Sequence, residues 1–498
     1  MTDRSPLDPR TPVLVGAGQF LQRVDGIEGA MDATAMMAEA IRAAAGDAGL
    51  AGVPQPDSIR VVGLLSWRYG NPGFLVAQHL GIEARDTVLT AMGGNSPQTL
   101  VNLTAQEILR GDLEIAVLTG GEAWRTRMRA RKDGVELDWP KAPDDEVPRV
   151  MGSELDMTHA SERALGLVMP VQVYPMFETA IRAAAGRDVA EHQQRIAGLW
   201  SRFSHVAADN PYAWLRDAKT PDELLTIGPR NRMIGFPYPK YMNSNNDVDM
   251  AAALIMCSAE KADALGIARD RWVFPHSGAD CHEHPYVSNR WSFDHTPAVE
   301  LGGRLALELA GTSVDEIEVI DLYSCFPSAV QLGAQSLGLS IDRQLTRTGG
   351  LAFAGGPWNN YVMHAIATVM NDLRDRPGAT GLVWANGGFA TKHSFGVYGT
   401  TPPAQGFRHA HPQDEIDAMP RRELADPADA AGAATIEAYT VMHSREGEPD
   451  GVFAACLLAD GRRAWGTSTD AALAAAMCEG EWVGRAATLS PDATLTPA

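Results

Sequence analysis

The chain has 498 residues, 45% hydrophobic and 21% charged, with glycine and proline dispersed. This composition can bury a sizeable core, about three domain units by length, and it excludes disordered and fibrous classes. The 62 acidic against 42 basic side chains leave a formal charge of −20, which repels a phosphate backbone, so nucleic acid is not an expected partner.

Strand and helix patterns alternate from the start. Val13 to Gln19 has strand character, Ala30 to Gly46 is Ala- and Met-rich at helical period, and a strand over Val61 to Trp67 precedes a helix from Pro72 to Leu80. Strand Thr87 to Met92, helix Ser96 to Arg110 and strand Glu114 to Thr119 continue the series, which predicts βαβ units around a mainly parallel sheet. From Trp124 a charged, proline-containing stretch breaks the pattern. Helical segments at Pro175 to Ala184 and Val189 to Ala207 follow, and Asn246 to Ser258 returns to the sheet. A loop domain inserted over about 125–240 is expected.

A second set repeats the plan. It predicts strands Trp272 to His276, Glu318 to Leu322 and Thr380 to Trp384, with helices Thr296 to Ala310, Ser328 to Leu337 and Asn360 to Leu373. The stretches SPQTLVNLTAQEILRGDLEIAVLTGGEA and PWNNYVMHAIATVMNDLRDRPGATGLVWANGGFA share one order: Pro, helix, short loop, apolar strand, Gly-Gly. That similarity indicates two related halves. After a proline-containing linker, Thr435 to His443 and Val452 to Ala459 are expected strands. Asp460-Gly461 is a hairpin turn before Arg462 to Thr467, and an Ala-rich helix and a last strand near Trp482 complete a mostly β unit, OB-like if it closes. The expected organisation is 1–265 for the first half with its insertion, 266–403 for the second, and 404–498 for the added β domain.

The phrases LTGGEA, NDVDMAAALIMCSAE, DLYSCFPSA and TGGLAFAGGPWNN, in this order and over roughly Thr11 to Pro403, resemble the thiolase superfamily. Within it the chain is similar to the sterol-carrier-protein type (acetyl-CoA acetyltransferase family) and to the mycobacterial type 1 thiolase-like proteins, which add a C-terminal domain. The resemblance implies an α/β thiolase fold, two βαβαβαββ halves in five layers αβαβα, and coenzyme A or an acyl-CoA as ligand. It implies a dimer through the sheet of the first half, or a monomer as in the type 1 branch.

The departures from that family decide the expected chemistry. Its nucleophilic cysteine falls on Gly94, its Asn or His on Tyr323, the His of its Gly-His-Pro on Gly356, and its last acid/base cysteine on Ala385. Glycine and alanine neither attack nor move protons, and loss of a nucleophile typically costs about 10⁶ in rate. Ping-pong acyl transfer is therefore not expected. Two readings remain: retro-aldol cleavage of a 3-hydroxyacyl-CoA in lipid or steroid metabolism, or non-catalytic acyl-CoA binding. An acyltransferase with another nucleophile, Ser96 or Cys325, is a third.

Tyr323, at a strand end, is the expected acid or base, with a core tyrosine as the structural alternative. His393, following the strand of the last motif, is expected in the same pocket. Gly94, Asn95, Ser96, Gly355, Gly356, Asn386 and Gly387 are expected to line it, with Ser96 capping a helix whose amides face the ligand. Arg125, Arg127 and Arg129 are the candidates for the phosphates of coenzyme A. Cys281, His282 and His284 lack a second ligand cluster, so no metal is expected, nor any covalently bound cofactor. The five cysteines form no C-x-x-C pair, the first residues lack a signal-peptide stretch, and no window reaches the ~18 apolar residues of a span. The expected location is cytoplasmic.

Overall fold

The computed structural model describes residues 7–426 and 429–498. The first sheet has six strands in the order Pro12–Leu21, Asp249–Ser258, Ile115–Ala123, Ser58–Val61, Asp86–Thr90, Arg149–Met151. Its first two pairings are antiparallel and the other three parallel. The second sheet has five, in the order Ile317–Leu322, Thr380–Gly387, Lys392–Gly399, Phe274–His282, Arg408–Ala410.

Helices Ser96–Arg110 and Tyr361–Arg374 each touch strands of both sheets and form the central layer. Helix Ala33–Asp47 covers the outer face of the first sheet and Pro297–Ala310 that of the second, which completes the expected five layers. Ser96–Arg110 is buried although polar, and glycines explain how. Gly278 and Gly396 leave room in the second sheet for Asn102 and Gln98, four residues apart on one face of the helix. Tyr398 donates to Gln98 at 2.7 Å, and Asn102 donates to Asp280 at 2.8 Å. The buried amides are thus paired, as a dry interface requires.

Several elements differ from the sequence expectation for identifiable reasons. The apolar run predicted as strand Val61 to Trp67 leaves the sheet after Val61, because the amides of Leu65 and Ser66 turn to the buried carboxylate of Glu122, both at 2.7 Å. The charged stretch after Ala123 is a helix, Trp124–Asp133, burying only Thr126 and Ala130. Residues around His393 form a strand, antiparallel to Thr380–Gly387. No strand lies at Trp482 itself; the last two are Ala486–Leu489 and Leu495–Pro497.

Strand Arg149–Met151, from the insertion, covers the edge of Asp86–Thr90, and Arg149 donates to Asp86 at 2.7 Å. The sheet therefore ends on this three-residue strand rather than on Asp86–Thr90. The C-terminal strands Arg463–Ser468, Pro449–Leu458, Gly432–His443, Ala486–Leu489 and Leu495–Pro497 form a third sheet in that order. Two short insertion strands, Met233–Gly235 and Tyr238–Pro239, join it through Met442 and Gly235. The added domain is therefore built into the insertion by backbone pairing.

Glu122 yields a prediction. Burial outweighs its two backbone hydrogen bonds and raises its carboxyl from 4.5 to about 7. A carboxyl raised on folding favours the native state fully below pH ~4.5, and that contribution is lost as pH rises to about 7, at most about 3 kcal/mol. Glu122→Gln should flatten this part of the stability-versus-pH curve measured by urea unfolding. Parallel wild-type and variant curves would refute the assignment.

Candidate functional site

A cavity of about 350 Å³ lies where the halves and the insertion meet, lined among others by Gly94, Tyr323, Cys325, Asn243, Ser244 and Trp358. Strand Ile317–Leu322 ends just before Tyr323, whose amide donates to Trp384 O at 3.1 Å. The ring is held edge-on by Tyr361, centroids 5.7 Å apart. Tyr361 is fixed in turn by Thr348 at 2.6 Å and by Asp321 at 3.2 Å. Tyr323 is thus placed by a buried network behind it.

The positions where the thiolase groups are missing are filled, not hollow. A Cβ on Gly94 would lie 2.5 Å from Tyr323 Oη and closer still to the carbonyl oxygen of Asn386. A Cβ on Gly356 would collide with Ser244 Oγ. At both places a hydroxyl from another segment occupies the room a side chain would take, and both hydroxyl-bearing residues line the cavity.

The electrostatics follow from that lining. It contains no carboxylate, lysine, arginine or histidine. Its titratable groups all resist ionisation: burial holds Tyr323 and Tyr174 well above the ordinary phenol value of 10 and pushes the Cys325 thiol up to about 12. Tyr323 is therefore a hydrogen-bond donor rather than a resting base, and Cys325 is a thiol rather than a thiolate. Three buried polar atoms on the lining have no partner: Asn243 Oδ1, Ser244 Oγ and Trp358 Nε1. Trp358 also holds φ +47°, a conformation rarely adopted by a bulky residue. An uncharged cavity edged with unsatisfied donors and acceptors suits a neutral polar group, such as a carbonyl or hydroxyl, on an apolar ligand.

The other expected site residues divide. Gly387 joins Gly94 and Tyr323 on the lining. Asn386 is fully buried beside it and donates to Tyr174 Oη at 2.9 Å. Gly355 packs at Met250 and Gly356 at Ser244, and neither is on the lining. His393 does not enter this cavity. The register pairs it with Asn386 and Cys281 and sets its ring against Trp384, centroids 5.8 Å apart, on the sheet face opposite Lys392, while Asn95 and Ser96 line a second cavity. Ser96 is not the helix cap either; Asn95 holds that position without a side-chain cap bond, and Ser96 Oγ donates to Ala91 O at 3.0 Å.

Arg125 pairs with Asp247 at 2.6 Å, and Arg129 donates to Val24 O at 2.7 Å. Arg127 donates to Leu65 O at 2.7 Å and lies over Trp124, which packs edge-on against the lining residue Trp358 at 4.9 Å, so it stands one aromatic pair away from the cavity. Among the described residues no group of three His, Cys, Asp or Glu is placed to hold a metal ion.

Tyr174 and Trp358 were not candidates from sequence. Tyr174 accepts from Asn386 and from the Ala390 amide and donates to Gly388 O at 3.1 Å, so it ties the insertion to the Gly387–Gly388 turn. It is 212 residues from Asn386, a distance no local pattern signals. Trp358 directly follows Gly355-Gly356-Pro357, and that adjacency was a usable signal.

Comparison with known proteins gives a consistent picture. Residues 412–494 match the thiolase-like protein type 1 additional C-terminal domain. A monomeric SCP2-thiolase like protein type 1 from Mycobacterium smegmatis is 32% identical, with 99% of this chain and 98% of that one covered at a TM-score of 0.82. An Ltp2-ChsH2(DUF35) aldolase covers 78% of this chain and 98% of its own at 18% identity and a TM-score of 0.56, a likeness of fold alone. No curated protein matches.

Proposed function

Since the chain belongs to the SCP2-thiolase-like protein type 1 family, we propose that it binds coenzyme A thioesters through its central cavity and does not carry out ping-pong acyl transfer. The observation that carries this reading is the uncharged lining, with the Tyr323 hydroxyl in the room a side chain at Gly94 would take and no side chain basic at neutral pH. Tyr323 Oη and Trp358 Nε1 are donors for the thioester oxygen, and Asn243 and Ser244 take a hydroxyl on the acyl part. The exposed apolar residues Val168 and Met169, on the same lining, suit the acyl chain. Arg127 is the candidate for the coenzyme A phosphates. The covered sheet edge and the monomeric relative support a monomer. Five free cysteines support a reducing, cytoplasmic setting.

A second reading is retro-aldol cleavage of a 3-hydroxyacyl-CoA in lipid or steroid metabolism. It is favoured by the Tyr323 phenol on the cavity lining, a donor suited to a developing enolate. The proton leaving the substrate hydroxyl would pass to water, since the ring of the expected partner His393 lies against Trp384 instead.

Calorimetric titration of the full chain with saturated, 3-hydroxy and 3-keto acyl-CoAs, with free coenzyme A and carbonyl product followed in parallel, tests both. Saturable binding without product is expected, and Tyr323→Phe should weaken it about three- to tenfold, one neutral hydrogen bond. Aldehyde or ketone release would favour the aldolase. A covalent acyl adduct on Cys325 in the mass spectrum would overturn both, and absence of binding would remove the premise they share.

A further inference from the structure

The turn between strands Thr380–Gly387 and Lys392–Gly399 forms part of the central cavity's wall, since Gly387, Gly388 and Phe389 are all on the lining. Ala390, which follows, holds φ +52°, a left-handed conformation that is costly for a residue with a side chain and persists only where the surroundings fix it. Two side chains from other segments do so. Tyr174, from the insertion, accepts from the Ala390 amide at 2.9 Å and donates to Gly388 O at 3.1 Å. Arg290 donates to Phe389 O at 2.8 Å and also to Ala390 O.

Arg290 is only 3% exposed, and its Nε has no partner. Burying a guanidinium is costly. What this one gains is the two carbonyls of the turn and the face of Phe177, 5.0 Å away. Its own segment is gripped by the added domain. Arg463 donates to Ser288 O at 2.7 Å and to Arg290 O at 2.5 Å, and Trp465 Nε1 donates to Ser288 Oγ at 2.9 Å. Asn289 O accepts from the Arg422 amide at 3.0 Å, while Asn289 Nδ2 donates to Arg422 O at 2.9 Å. Residues 288, 289 and 290 thus each have a partner in the domain at 412–494. Aromatic contacts run beside these bonds: Phe177 meets Phe293 at 5.8 Å, and Phe293 meets Trp465 at 6.3 Å.

We propose that the added C-terminal domain, none of whose residues line the central cavity, is a support for its wall: the domain fixes residues 288–290, and Arg290 acts from there as the positioning residue for the Gly387–Ala390 turn. The proposal rests on the reading of that cavity as the thioester site.

Hydrogen exchange of the full chain, followed by mass spectrometry on peptides covering 386–391, reads the turn, and calorimetric titration with 3-hydroxybutyryl-CoA reads what the turn does for the ligand. Arg290→Met should raise exchange in 386–391 and weaken the thioester, each about tenfold, with strand Ile317–Leu322 unchanged. Arg290→Lys, whose ammonium can donate to both carbonyls, should recover most of both effects. Trp465→Phe, which keeps a ring against Phe293 and removes only the bond to Ser288, should raise exchange in 386–391 about twofold, and it still decides the matter should Arg290→Met not fold. A turn or an affinity unchanged in Arg290→Met, exchange that rises equally across the second sheet, or a Trp465→Phe response confined to the added domain would overturn the assignment. The exchange responses without thioester binding by the wild type would remove the thioester reading and leave the support of the turn in place.

Discussion

Gly94→Cys is expected to destabilise the protein by about 3 kcal/mol and to restore no acyl transfer. Its Cβ would lie 2.5 Å from Tyr323 Oη and 2.9 Å from Cζ, closer than side-chain carbons approach other atoms. Tyr323 can shift, but the Asn386 carbonyl on the other side belongs to a buried strand paired on both edges. Overpacking against fixed backbone typically costs about 1–3 kcal/mol, and this site is at the upper end because two walls must move. The thiol would also lack its base, since Gly356 stands where the family's histidine stands. Urea unfolding should show the stability loss, and mass spectrometry after acyl-CoA incubation should show no acylation of residue 94. A stable variant that becomes acylated would mean that the old site needs only its sulfur. Gly94→Ala with Tyr323→Ala should recover part of the loss but not all, because the carbonyl remains.

Arg463→Met should cost about 3–5 kcal/mol and loosen the C-terminal sheet from the core. Arg463 is fully buried and forks onto Glu437 with two hydrogen bonds of 2.8 Å. Its other amino group donates to Ser288 O at 2.7 Å and Arg290 O at 2.5 Å. One guanidinium therefore joins the third sheet to the segment before helix Pro297–Ala310. Removing it leaves Glu437 without its counterion and two buried carbonyls without a donor, the situation in which breaking a buried pair is most costly. Denaturant unfolding measures the loss, and limited proteolysis should cut first near the linker before residue 432. Glu437→Gln, which keeps acceptors for the arginine, should cost clearly less; equal losses would place the effect in the charge rather than in the carbonyl contacts.

Much of the fold was legible because it depends on local periodicity. Helix Ser96–Arg110 matches its expected bounds, since Pro near its start and Gly111 in the left-handed cap mark both ends in sequence. The expectation failed where an apolar run served a long-range partner. Val62 to Trp67 looks like a strand but wraps Glu122, some 57 residues away. Trp124–Asp133 looks like a loop because its solvated face hides the helical period.

For the site, motif order alone was enough to single out Gly94, Tyr323 and Gly387, which the structure puts on one cavity lining, and to find glycine at the positions of the family's cysteine and histidine, since residue identity is a one-dimensional fact. What fills those places was decided in three dimensions: the Tyr323 and Ser244 hydroxyls arrive from segments far from Gly94 and Gly356 in the chain. The same holds for His393. Its position after the last motif suggested the first cavity, but side chains alternate across a strand, and the register sets its ring against Trp384 instead. Composition and motif spacing determine which chemistry is possible; packing of distant segments determines which groups meet, because contact depends on the sheet and turn geometry that brings them together.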